Sequence, residues 1–144
     1  MIKIIVAAHG GLASEFVNVA AAISGNQSNL YFVERSSSDS LEQMRLRIIS
    51  LLRDVSDKDG VLILADMFGG TPCNAAMRAC ADLKVEVISG VNLPMILSAV
   101  MLSKTHANLS ELADKALIKG QKSISNIRLA LEEAHQASIY KGIP

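Results

Sequence analysis

Apolar and polar positions along the chain alternate between two periods. Ile2 to Ala8 is a short, nearly continuous apolar run, long enough for a strand buried on both faces and too short for a helix. Gly10-Gly11 ends it, and from Leu12 to Ile23 the residues Leu12, Phe16, Val19, Ala20 and Ile23 recur at helical spacing, with a stop at Gly25-Asn26. Leu30 to Val33 reads as a second strand. Ser40 and Gln43 form a capping-box pair ahead of Leu41, Met44, Ile48, Leu51 and Leu52, an amphipathic helix ending near Asp57 to Gly60. Gly60 to Ala65 is a third buried strand. Thr71-Pro72 predicts a helix with a hydroxyl at the N-cap and proline at the first helical position, running to Leu83. Lys84 to Ser89 is a fourth strand, Pro94 opens a helix over Met95 to Ser103, and Leu109 to about Lys119 forms another, punctuated by Gly120. Ser123 to Glu133 fits a helix or, around Ile124 to Leu129, a short strand.

This rhythm predicts the α/β class: a mainly parallel, doubly wound sheet of about four strands with helices on both faces. The flavodoxin-like order puts the first strand between the second and the third, so ligands are expected beyond the carboxyl ends of the first and third strands. His9 follows the first of these and Asp66 follows the third. Adjacent strands lie about 4.8 Å apart, so the two side chains can hydrogen-bond. A carboxylate that accepts the Nδ1 proton of an imidazole fixes its tautomer and leaves Nε2 as a nucleophile. The plainer readings are a polar strand end for His9 and a loop cap for Asp66.

After Asp66 comes Met67-Phe68-Gly69-Gly70-Thr71-Pro72-Cys73-Asn74. Two glycines allow close backbone approach, and the Thr71 hydroxyl with the first N–H groups of the next helix makes a donor set suited to an anion. A tight turn with a good cap explains the same residues without a ligand. Met67 and Phe68 are bulky apolar residues on an expected loop, fitting either a partner surface or packing against the first helix. Gly90-Val91-Asn92-Leu93-Pro94-Met95 follows the fourth strand at the same sheet edge, where Asn92 and Met95 either border the site or simply turn the chain.

Composition narrows the field. The 144 residues are 50% hydrophobic and 19% charged, with 14 basic against 14 acidic side chains, which describes one soluble domain needing no disulfide or metal staple. A zero net charge without a Lys/Arg run excludes a general nucleic-acid binder. No apolar stretch reaches the roughly 18 to 20 residues needed to span a bilayer, and Met1 to Ala8 lacks the layout of a signal peptide, so a cytoplasmic location is expected. Cys73 and Cys80 show no C-x-x-C or zinc-ligand spacing and read as reduced, structural thiols. His106 and His135 lie in polar stretches and read as surface residues. Neither a phosphate-binding G-x-x-x-x-G-K-[ST] nor a G-x-G-x-x-G is present, and Ser14 is not in a G-x-S-x-G elbow. A two-component receiver would carry its phosphoacceptor where Asp66 stands, but Val6-Ala7-Ala8 offers no acidic pair for magnesium. Nothing calls for a metal or a cofactor.

With His9-Gly10, Asp66-x-x-Gly69-Gly70-Thr71-Pro72-x-Asn74 and Gly90-Val91-Asn92-Leu93-Pro94-Met95 in order on the expected elements, the sequence resembles the mannose-family enzyme IIA domain of the bacterial sugar phosphotransferase system over roughly residues 1–130, leaving a tail at 131–144. The resemblance implies a phosphoryl carrier, loaded by phospho-HPr and discharged to an enzyme IIB. His9 would be phosphorylated and Asp66 would orient it. Gly10, Gly69, Gly70 and Thr71 would surround the phosphate, and Met67, Phe68, Asn92 and Met95 would border partner docking. It also implies a homodimer that exchanges a C-terminal strand, a membrane role only through the permease, and no cofactor. With no fused IIB following, the acceptor is expected to be a separate chain. Cys73 stands where relatives often carry a bulkier apolar residue. The candidate loops contain no arginine, so holding the phosphate is expected of backbone amides. Two alternatives are a regulatory partner-binding module and the phosphoryl-donor subunit of a dihydroxyacetone kinase, the latter resembling the histidine loop but not the Gly90–Met95 pattern.

Overall fold

The apolar runs become strands because both of their faces are covered. In this computed structural model, which describes residues 1–56, 58–80, 84–105 and 108–141 with side chains to 138, four parallel strands form one sheet: β1 (Lys3–His9), β2 (Leu30–Arg35), β3 (Val61–Ala65) and β4 (Val85–Ser89). Their order is β2-β1-β3-β4, which puts the topological switch between β1 and β3 as expected. Even-numbered side chains of β1 (Ile4, Val6, Ala8) and Leu62 and Leu64 of β3 enter a core beneath α1 (Leu12–Ser24), α4 (Leu93–Ser103) and α5 (Leu109–Lys122). Odd-numbered Ile5, Ala7, Val61 and Ile63 enter a second core beneath α2 (Leu41–Val55) and α3 (Thr71–Ala79). A period of two facing two apolar layers reads as an unbroken apolar run.

Local signals set most boundaries. The Ser40–Gln43 capping box forms in both directions, the Gln43 N–H reaching Ser40 Oγ at 3.2 Å and the Ser40 N–H reaching Gln43 Oε1 at 2.8 Å. β2 runs two residues beyond its apolar stretch, because Glu34 and Arg35 continue the pairing with Ala8 and His9.

Three expectations are corrected. Thr71 is not the N-cap of α3: extended Gly70 holds that place, its carbonyl accepting the Asn74 N–H at 2.9 Å, so Thr71 and Pro72 are the first two helical residues. α4 starts at Leu93, two residues early, because the Asn92 side chain caps it by accepting the Met95 N–H at 3.0 Å. Gly120 does not end α5, which continues to Lys122. That glycine is a packing site, since a Cβ there would lie 2.5 Å from Met95 Cε. Asp57, Leu83 and His106, which figured in the expected helix ends and surface histidines, lie outside the described residues.

The C-terminal segment is helical. Residues 123–126 have no regular structure, α6 spans Ile127–Lys141, and every described side chain from Gln121 onward is exposed. Among the described residues the single chain forms four strands and none at 123–129, so an exchanged strand has no counterpart within this chain.

Candidate functional site

β1 and β3 end side by side, in register from Lys3 opposite Val61 to Ala7 opposite Ala65, which delivers His9 and Asp66 to one place. Asp66 Oδ2 accepts twice from His9, from its backbone N–H at 2.9 Å and its ring Nδ1 at 2.7 Å, while Oδ1 accepts the Met67 N–H at 2.9 Å. Three donors converge on one carboxylate. Burial pushes the Asp66 carboxyl up, but the hydrogen bonds from His9 and Met67 outweigh it and hold the pKa below the ordinary 3.8. Its stabilising contribution is therefore complete above about pH 4 and is lost as pH falls through the lower folded value, so the pair stays assembled at neutral pH. Asp66 is largely covered, its side chain 11% exposed, whereas the His9 side chain is 37% exposed. With Nδ1 occupied, Nε2 is the nitrogen left to react.

Gly70 lets the ring sit where it does. A Cβ at Gly70 would lie 3.1 Å from His9 Cε1, 2.9 Å from Met67 Cγ and 3.3 Å from the Met67 carbonyl oxygen. Its φ of −70° is open to any residue, so the demand for glycine here is steric. Gly69 is the opposite case, with φ +78° and nothing near its missing Cβ. Gly70→Val should displace the imidazole by several tenths of an ångström and slow any reaction at its Nε2 roughly tenfold or more. Gly69→Ala should mainly cost about 1 kcal/mol of stability. Initial-rate assays beside urea denaturation separate these outcomes, and a Gly70→Val protein that is unstable but fully active would contradict the steric account.

Cε1 lies between the two ring nitrogens, so its closeness to Gly70 brings Nε2 toward the start of α3. In that first turn the Asn74 N–H is taken by the Gly70 carbonyl and the Asn74 side-chain amide donates to the Gly69 carbonyl at 3.0 Å. Pro72 has no N–H, which leaves the Thr71 and Cys73 N–H groups without an intrahelical acceptor, beside a Thr71 side chain that makes no cap bond. At the other helix start near His9, that of α1, a carboxylate is already in place: the Ser14 N–H donates to Glu34 Oε1 at 3.1 Å. The α3 start has no acidic residue in its first turn, whereas α1 has Glu15 there and the Glu34 carboxylate on its Ser14 N–H, so the α3 dipole is the better placed to receive an anion.

The other expected site residues divide. Gly10 makes the turn with φ +53°, but its N–H donates to the Arg35 carbonyl at 2.9 Å, and the Gly70 N–H bonds the Met67 carbonyl at 3.3 Å, so neither amide is idle. Met67 and Phe68 are 56% and 80% exposed, beside Asp66. Met95 is corrected: it is 2% exposed, packed in the core against Gly120, and offers no docking surface. Asn92 caps α4 and donates from Nδ2 to the Gly120 carbonyl at 3.1 Å, a structural clip between α4 and α5. Cys73 is buried, and burial pushes the Cys80 thiol up to about 11, so Cys80 stays protonated and unreactive at neutral pH.

Arg35, the last residue of β2, was not anticipated and pairs in register with His9. The absence of arginine from the flanking loops holds, but the neighbouring strand supplies one. The signal was present in the predicted strand order, which sets the end of the second strand beside the end of the first.

Comparison with known proteins agrees with this geometry. Residues 3–117 match the family model described as PTS system fructose IIA component. The chain is 30% identical to the fructose-specific EIIA component of Bacillus subtilis over 96% of its own length and 94% of the relative's. It is 29% identical to the mannose-specific EIIAB component of Escherichia coli K12, covering 88% of this chain and 40% of that longer one. Among solved structures, an EIIA from Streptococcus agalactiae superimposes with a TM-score of 0.80 at 30% identity, covering 90% of this chain and 99% of the other. A mannose/sorbose-specific IIA subunit from Enterococcus faecalis gives 0.80 at 29% identity, covering 87% and 93%. The family model, the relatives and the shared fold thus define a phosphotransferase-system component. The chain belongs to the mannose-family EIIA domains of that system, which implies a part in phosphoryl transfer during sugar uptake. Among the described residues no helix is long and apolar enough to cross a membrane.

Proposed function

We propose that this chain is a phosphoryl carrier whose His9 accepts phosphate from phospho-HPr and passes it to an enzyme IIB. The observation that carries the reading is the fixed tautomer: Nδ1 is held 2.7 Å from Asp66 while Nε2 remains available beside the open start of α3. In the transfer, the Nε2 lone pair forms the new N–P bond and the electron pair of the donor's N–P bond returns to the donor imidazole. No proton need move, and Asp66 offsets the positive charge the ring acquires. The phosphoryl oxygens meet the Thr71 and Cys73 N–H groups and the Thr71 hydroxyl. Return transfer needs a phosphate held loosely enough to leave, which a few preorganised donors allow. Incubation with phosphoenolpyruvate, enzyme I and HPr should deposit one acid-labile phosphate per chain, dischargeable to a cognate IIB. A wild-type protein that takes no label would sink the reading.

Met67 and Phe68, both exposed, form the apolar lip against which partners dock. Phe68→Ala should raise KM for phospho-HPr several-fold with kcat little changed, because an 80% exposed ring supports nothing inside the fold. A fall in kcat at unchanged KM would oppose the docking role. The exposed C-terminal segment, carrying Ile124, Ile127 and Leu131, is the proposed homodimer contact. Sedimentation equilibrium should give twice the chain mass, reverting to one chain on truncation after Lys122, and a truncated protein that still dimerises would place the contact elsewhere.

A further inference from the structure

We propose that Arg35 is the cation that grips the phosphoryl group at His9, closing the β2 side of a cradle whose opposite side is the start of α3. The inference rests on the carrier reading and adds a binding residue to it.

In a parallel pair, residues in register point to the same face of the sheet, with their strands about 4.8 Å apart. His9 and Arg35 are such a pair, both at the carboxyl edge, on the face covered by α2 and α3. The Arg35 carbonyl accepts the Gly10 N–H, which fixes the backbone of Arg35 to the histidine loop. Its guanidinium is only partly engaged. Nη2 donates to the Asp39 carbonyl at 3.0 Å, while Nε is buried without any hydrogen-bond partner. It is the one such buried side-chain nitrogen or oxygen among the described residues. A buried donor left unmet is costly and calls for an explanation, which a ligand completing the bonding would supply.

The surrounding charges leave Arg35 available. The Asp39 carboxylate, the acid nearest in sequence after the strand, is held by Arg47, whose Nη1 and Nη2 donate to its two oxygens at 2.5 and 2.9 Å, and by the Ser36 N–H at 2.7 Å. Arg35 therefore hydrogen-bonds Asp39 only through its carbonyl and acts on the carboxylate through space. Glu34 pairs with Ala8 on the other face, where it caps α1. Asp66 has its three donors already. A dianionic phosphoryl group on Nε2 is the acceptor that matches a fork of this charge. The electron pairs move as in the transfer described above.

Arg35→Gln and Arg35→Lys are compared with wild type using two phosphoryl donors: phospho-HPr, which must dock, and phosphoramidate, which is too small to dock. The expected result is that Arg35→Gln slows phosphorylation of His9 by both donors to a similar extent, about ten- to a hundredfold. Arg35→Lys, which keeps the charge and loses the fork, should fall between. Thermal unfolding checks that each variant is folded, and the lysine form carries the test if the glutamine form is not. Unchanged rates with both donors would overturn the proposal, as would a loss with phospho-HPr alone, which would make Arg35 a docking residue. A wild-type protein that accepts phosphate from neither donor would instead remove the carrier reading itself.

Discussion

His9→Gln should reduce phosphate incorporation from phospho-HPr to background while leaving the protein folded. Glutamine offers an amide in place of the imidazole, and an amide nitrogen has no lone pair available for attack on phosphorus. The structural cost is small. His9 is partly exposed, and Asp66 keeps the backbone N–H groups of residue 9 and Met67 after the ring is removed. The lost ring bond is worth about 1 kcal/mol at such a site. Circular dichroism and urea denaturation should therefore resemble wild type, which separates a missing nucleophile from a missing fold.

Asp66→Asn should slow phosphoryl transfer by roughly a hundredfold or more at unchanged donor KM. The carboxylate accepts from three donors, the His9 N–H, His9 Nδ1 and the Met67 N–H. An amide has one oxygen. Turned toward His9, it preserves the tautomer but sets its NH2 against the Met67 N–H. Turned toward Met67, it sets its NH2 against the His9 N–H and favours the tautomer in which Nε2 carries the proton and cannot attack. Neither orientation supplies the negative charge that stabilises the cationic ring during transfer. The depressed Asp66 pKa means that wild type keeps this charge down to acid pH, so an activity loss in wild type above about pH 5 belongs to another group. Stopped-flow or quench kinetics with phospho-HPr measure the effect, and a variant within a few-fold of wild type would remove Asp66 from the mechanism.

The sheet order and the His9–Asp66 pair were legible because they follow from robust signals. Continuous apolar runs specify strands buried on both faces, and right-handed crossovers then fix which strand ends are neighbours. The misses came from finer physics. Thr71-Pro72 resembles a cap followed by a first helical residue, yet the cap is the extended Gly70, where a side chain would crowd the His9 ring. Met95 follows a turn motif and reads as a surface residue, but as part of the first turn of α4 it faces inward, into the space left by Gly120. Ser123 to Glu133 was ambiguous because its side chains are exposed on every side, so burial imposes no period on them. Arg35 is not legible from the loop motifs, because only the register of two neighbouring strands places it beside His9.

The central claim is that Nε2 of His9 carries the phosphoryl group, with Nδ1 held by Asp66. Phosphorus-31 and nitrogen-15 NMR of histidine-labelled protein, phosphorylated by enzyme I and HPr, tests it directly. The account predicts a single phosphohistidine with phosphorus coupled to Nε2, its Nδ1 still protonated, and no such signal in His9→Gln. Phosphorus coupled to Nδ1, or a phosphate that persists in His9→Gln, would contradict it.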